Sequence, residues 1–139
     1  MTVTRLRVSE AAALLGVSDD TVRRWGEAGR LEVHRVEGGP AVIDGAEVAA
    51  LAQELAADSP LAAAFPSGRA SARNRITGLV TKVTKDGVMA QVEMQAGAFR
   101  IVSLMSREAA DELGLEPGSL AAASVKATTV VVELVEHGR

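Results

Sequence analysis

The chain has 139 residues, room for one domain or two very small ones. Apolar residues make up 47% but aromatics only 2%, so the cores must be alanine, valine and leucine, and base stacking is nearly excluded. With no cysteine there is no disulfide or thiolate metal site, and with no long apolar run or signal-peptide pattern a cytoplasmic protein without a membrane partner is expected. The net charge of −3 is uneven: residues 1–57 hold six arginines against nine acids, whereas 69–139 hold nine basic residues against eight acidic ones. Neither part is an indiscriminate nucleic-acid binder; any DNA contact must come from a local arginine cluster.

The first part reads mostly as helix. Thr4 to Val8 is a short strand-like lead, and Ser9 stands where an N-cap belongs ahead of EAAALLG, which Gly16 closes. Ser18 is the next N-cap candidate, and Asp19 and Asp20 suit the positive end of the helix dipole. The spacing predicts a helix over DDTVRRWGEAG ending near Gly29. Two helices joined by a tight turn make a helix-turn-helix. LEVHRVEGGPAVID then reads as a hairpin around Gly38-Gly39, with Pro40 confined to an edge. Asp44 caps a third helix, GAEVAALAQELAA, whose Val48, Leu51 and Leu55 share one face.

The stretch ADSPLAAAFPSGRA has two prolines, a glycine and no sustained period. It reads as a linker over 58–70, dividing a domain at 1–57 from one at 71–139. After it the rhythm is that of strands. ITGLVTKV and VMAQVEM flank the turn signal Lys85-Asp86-Gly87, and AFRIVSLM follows a turn at Gly97. SREAADELGL breaks the alternation as a short helix capped by Ser106 and closed at Gly114, EPGS is a turn, and LAAASVKATTVVVEL returns to strand. The expected fold class is α+β: an amino-terminal winged helix-turn-helix and a carboxy-terminal OB-like small β-barrel. OB-like barrels often stack single-stranded bases on aromatic rings, but this part offers Phe99 alone, with Phe65 in the linker.

Two family resemblances sharpen this. Glu10-Ala11-Ala12, Gly16-Val17-Ser18, Thr21-Val22-Arg23-Arg24-Trp25, Gly29-Arg30-Leu31 and Ile43-Asp44 resemble the winged helix-turn-helix of the MerR and excisionase group. The resemblance implies that the second helix enters the major groove of double-stranded DNA, where Thr21, Arg23 and Arg24 reach bases or phosphates. Arg35 in the wing suits a backbone or minor-groove contact, and Arg5, Arg7 and Arg30 suit sequence-tolerant phosphate contacts. Asp19 and Asp20 oppose phosphate and are expected to face away from DNA. Trp25 is read as a core anchor, and His34 as an ordinary wing residue.

In the second part SARNRITGLV, SLMSREAADELGLEPGS and SVKATTVVVE, in that order, resemble the molbindin (Mop) domain of the TOBE superfamily. That family implies a site for molybdate or tungstate, tetrahedral dianions that accept hydrogen bonds and donate none at neutral pH. Such a site needs only donors. Ser71 offers a hydroxyl, Arg73 a planar fork and Lys126 a point charge, while amides around Ala72, Ala127 and Thr128 line the pocket. Ser106 stands at a helix N-terminus. Ala109 replaces a serine usual in the family, so a hydroxyl is lost there. Singly, Arg73 reads as a surface residue, Ser106 as an N-cap and Lys126 as a solvated strand residue; only the ordered set points to a ligand. In molbindins such sites form where subunits meet, which implies a homo-oligomer, a dimer or a hexamer built from dimers.

No catalytic constellation is present, and His34 and His137 are not spaced as metal ligands, so neither an enzyme, a cofactor nor a bound metal cation is expected. The combination implies a molybdate- or tungstate-responsive DNA-binding regulator. Its rivals are an intracellular molybdate-storing protein whose first domain only assembles or docks, and a constitutive DNA binder whose barrel only oligomerises.

Overall fold

A computed structural model describes residues 3–35 and 37–136 of the chain. The described residues divide into two compact units, one running to residue 66 and taking in 134–136, the other of 67–133. Helices and antiparallel sheets occur in both, and among the described residues no helix is long and apolar enough to cross a membrane.

In the first unit, β1 (Arg5–Arg7) runs directly into α1 (Val8–Leu15), and α2 (Asp19–Glu27) follows a tight turn. The helix therefore starts one residue before Ser9, with Arg7 rather than Ser9 at the N-cap. The reason is that Glu10 supplies the cap interaction: its Oε1 accepts from the Arg7 N–H at 2.9 Å. Ser18 caps α2 as expected, its Oγ accepting from the Thr21 N–H at 3.2 Å. The hairpin β2 (Val33–Arg35) and β3 (Ala41–Asp44) joins β1 in a sheet of order β1-β3-β2, and α3 (Gly45–Ala57) follows at once. Asp44 holds the N-cap position of α3, but its side chain makes no cap hydrogen bond. Leu6, Ala11, Ala12, Val22, Leu31, Ile43, Val48 and Leu51 form the buried core, with Trp25 and Leu55 packed against it. Gly26 lets α2 sit close on the hairpin, since a Cβ there would meet Val33 Cγ2 at 2.7 Å.

The expected linker holds a short helix, α4 (Pro60–Ala64). Proline at the first turn followed by Leu-Ala-Ala-Ala accounts for it, because fixed φ and helix-forming residues outweigh the missing hydrophobic period.

The second unit is a four-stranded antiparallel sheet of order β6-β5-β4-β7, the half-barrel of the expected OB-like architecture. Its elements are β4 (Asn74–Lys85), β5 (Met89–Ala96), β6 (Phe99–Ser106), α5 (Arg107–Leu113) and β7 (Leu120–Val125). A register irregularity between Val80 and Lys82 bends β4. At Gly78 the backbones of β4 and β5 come so close that a Cβ would meet Gln95 O at 2.5 Å. The core is small: Val80, Val92 and Met94 are buried, with Val83, Ile101, Met105 and Leu115 against them.

The strand expected over LAAASVKATTVVVEL stops at Val125. Ala127–Thr129 is a 3₁₀ turn held by Lys126 O, which accepts from both the Thr129 N–H (3.0 Å) and its hydroxyl (2.9 Å). Beyond it 130–136 belongs to no strand ladder among the described residues. A β-branched run has strand propensity, but a strand also needs a neighbour to pair with.

Candidate functional site

The residues singled out in the first unit divide by helical periodicity. Val22 is fully buried and Trp25 packs on the core, so α2 turns Thr21 and Arg24 to one flank and Arg23 to the other. Arg24 Nη2 donates to Thr21 Oγ1 at 3.1 Å, and that hydroxyl lies 3.0 Å from Ser18 Oγ. Arg23 lies beside the two aspartates instead: Nη1 bonds Asp20 Oδ1 at 3.1 Å, and Nη2 lies 4.0 Å from Asp19 Oδ2. Asp19 and Asp20 thus hold Arg23 as well as serving the start of α2, because residues three and four apart on a helix are neighbours.

Arg23 shares a cleft between α2 and the hairpin with Arg7 and Arg35, and Asp19 and Glu27 line it too. Arg35 ends β2 opposite Ala41 and is exposed. Arg5 pairs with Asp44 at 3.4 Å and Arg30 with Glu54 at 3.8 Å. Arg30 also lies over the Trp25 ring, 5.2 Å from its centroid, which fits Trp25 as an anchor.

In the second unit antiparallel pairing decides which donors meet. β4 starts where β7 ends: Asn74 is opposite Val125, and its Nδ2 donates to Val125 O at 3.0 Å. Ser71, Ala72 and Arg73 thus lead into β4 beside the point where Lys126, Ala127 and Thr128 leave β7. Arg73 and Lys126 are exposed and, among the described residues, neither has an ion pair. Every oxygen of Asp111 is by contrast engaged by neighbouring cations, Lys85 and Arg107. Asn74 itself was not singled out from sequence; its only signal was the asparagine closing S-A-R-N.

Ser106 and Ala109 do not join this group within one chain. Ser106 is opposite Met89, at the end of the sheet where Lys85 faces Ala90, and Asn74 lies at the other end of β4. The Ala109 N–H donates to Ser106 Oγ at 3.0 Å, so the amide left by the missing family serine is already satisfied. The turn nearby is held by Asp86, whose carboxylate accepts from the Met89 and Val88 N–H groups and is thereby held below the usual carboxylate range. A hydrogen bond from Lys85 does the same for Asp111.

Comparison with known proteins follows these two units. The helix-turn-helix domain profile matches residues 5–56 and the TOBE domain profile residues 70–132. Molybdenum-pterin-binding protein 2 of Clostridium pasteurianum is 38% identical over 63 residues, 45% of this chain and 93% of that protein. The chain belongs to the TOBE domain family. Molybdenum-pterin-binding protein MopA of Rhodobacter capsulatus is 37% identical over 75 residues, which is 53% of this chain but only 28% of that relative. A solved molybdate-binding protein from Sporomusa ovata aligns over 48% of this chain and 100% of its own, with 30% identity and a TM-score of 0.47.

Proposed function

We propose that this chain is a molybdate- or tungstate-responsive, DNA-binding transcriptional regulator that holds its anion where subunits meet. The observation that carries the reading is the split donor set: Ser71 and Arg73 precede β4 at the end where β7 runs out into Lys126, while Ser106 lies at the other end. A site using both groups needs a second chain. The unpaired segment after Thr129, with Val131 92% exposed, supports a homo-oligomer, a dimer or a hexamer of dimers. Relatives named for binding molybdenum-pterin, matched through the TOBE part, support the oxyanion as ligand rather than cofactor. Its setting is the cytoplasm, and its residues have no catalytic part.

Double-stranded DNA is read by α2. Thr21 and Arg24 stand on one flank for base edges or phosphates, and Arg23 and Arg35 line the cleft toward the hairpin. Anion bound between subunits favours one oligomer geometry and hence one spacing of the reading helices, a linkage that runs in both directions. The test is DNA binding by fluorescence anisotropy with and without molybdate. The expected result is a shift in affinity that sulfate does not reproduce and that Lys126→Ala abolishes without altering anion-free binding. Unchanged affinity with saturating molybdate would overturn the regulatory reading.

A second reading, molybdate storage, is favoured by the neutralisation of Arg23 by Asp19 and Asp20. It predicts that no DNA sequence binds while the oxyanion still does.

A further inference from the structure

We infer that the base of the hairpin in the first unit is a binding site for a divalent transition-metal ion of the zinc class, built from Glu32, His34 and Glu47. The three residues come from the approach to β2, from β2 itself and from the first turn of α3, and one ligand-capable atom of each lies within 4.8 Å of the others. Glu47 Oε1 already accepts from the Glu32 N–H at 3.1 Å, a bond across 15 positions of sequence that fixes the carboxylate's direction. Neither Glu32 nor Glu47 is paired with a cation among the described residues.

The imidazole supplies the second observation. His34 Nε2 is shut off from solvent and has no hydrogen-bond partner, and the same holds for Asp44 Oδ1. Asp44 Oδ2 lies 3.8 Å from that nitrogen, too far for a hydrogen bond and near enough to orient the ring. An inaccessible ring nitrogen without a partner is costly, and three carboxylates near it repel one another, with Arg5 on Asp44 as the ion pair to a cation among the described residues. A divalent cation removes both costs.

The donor chemistry selects the ion. One imidazole and two carboxylates suit zinc, cobalt or nickel, whereas calcium and magnesium favour all-oxygen sets. Ligand atoms around such an ion sit closer together than 4.8 Å, so closure needs only side-chain rotation on one exposed and two half-buried residues. The ion would tie β2 to α3, and β2 ends at Arg35. The site does not depend on what the hairpin touches, and it stands whether or not the protein reads DNA.

The test uses full-length protein stripped with chelator and free of oxyanion, titrated with zinc and with cobalt. The expected result is one zinc per chain by equilibrium dialysis, a higher thermal transition for the first unit, and a cobalt absorption spectrum of low coordination number. His34→Ala, Glu47→Gln and, as the variant least able to disturb folding, Glu32→Gln should each weaken binding at least about tenfold, the loss that removing even an outer-shell partner brings. His137→Ala should leave it unchanged. Absence of stoichiometric binding to the wild type, or survival of binding in His34→Ala together with loss in His137→Ala, would overturn the site.

Discussion

The two units solve the same problem with opposite outcomes. The first draws its core from five of its elements: Leu6 on β1, Ala11 and Ala12 on α1, Val22 on α2, Ile43 on β3, and Val48 and Leu51 on α3. The second buries little beyond Val80, Val92, Met94 and two alanines, and leaves Phe99 75% and Leu104 69% exposed. A helix can hide an apolar stripe against its sequence neighbours, whereas a half-barrel keeps an open face and two unpaired edges. The first unit therefore closes its core within one chain, and the second leaves apolar surface open, which is where the proposed oligomer would form.

The largest effect that tests this contrast is removal of the segment after Thr129. The truncated protein should lose assembly altogether and the thermal transition of the second unit with it, a larger loss than in the first unit, to which 134–136 belong. Light scattering with two-transition calorimetry reads both, and an intact oligomer after truncation would end the comparison. Next in size, Ile43→Ala should destabilise the first unit by about 2–5 kcal/mol at any protein concentration. Met94→Ala should cost a similar ~2–5 kcal/mol in the second unit, but with a transition that shifts with protein concentration. Chemical denaturation at several concentrations separates the two.

Gly78→Ala should be milder, about 1–3 kcal/mol, because the new Cβ meets Gln95 O at 2.5 Å and the strands must part. It should act on the second unit alone, as the change in urea midpoint will reveal. The smallest effect is on pH dependence. Asp86 has a folded pKa below its unfolded value, so its contribution is full above the unfolded value and disappears as pH falls through the lowered one. Acidification below the ordinary aspartate range should thus lower the second transition, and Asp86→Asn should flatten part of that slope in a pH series of thermal melts.

Local chemistry was legible in the chain itself. Ser18 before Asp19-Asp20, Gly114 after a short helix and Asp86-Gly87 between alternating runs act over a few bonds, and the structure keeps each. The misses are also local rules, overridden by a competing partner. Ser9 lost its cap because Glu10 reaches back to Arg7, and the valine run after Thr129 has no ladder because, among the described residues, no strand pairs with it. For the candidate anion site the chain named the donors, but their grouping depends on which strand ends lie together.

What the sequence by itself determined is therefore most of the elements, α4 and the end of β7 excepted, and the donors available, since period, caps and turn residues act within a few positions of each other. Tertiary structure alone decided which of them meet. Antiparallel pairing of β4 with β7 sets Asn74 opposite Val125, so that Arg73 and Lys126 flank the same end, and sends Ser106 to the opposite end, and packing of α3 behind the hairpin brings Glu47 to Glu32 and His34. Those partners are separated by long stretches of chain whose closure only the buried cores can offset, and no local pattern records which closure the cores select.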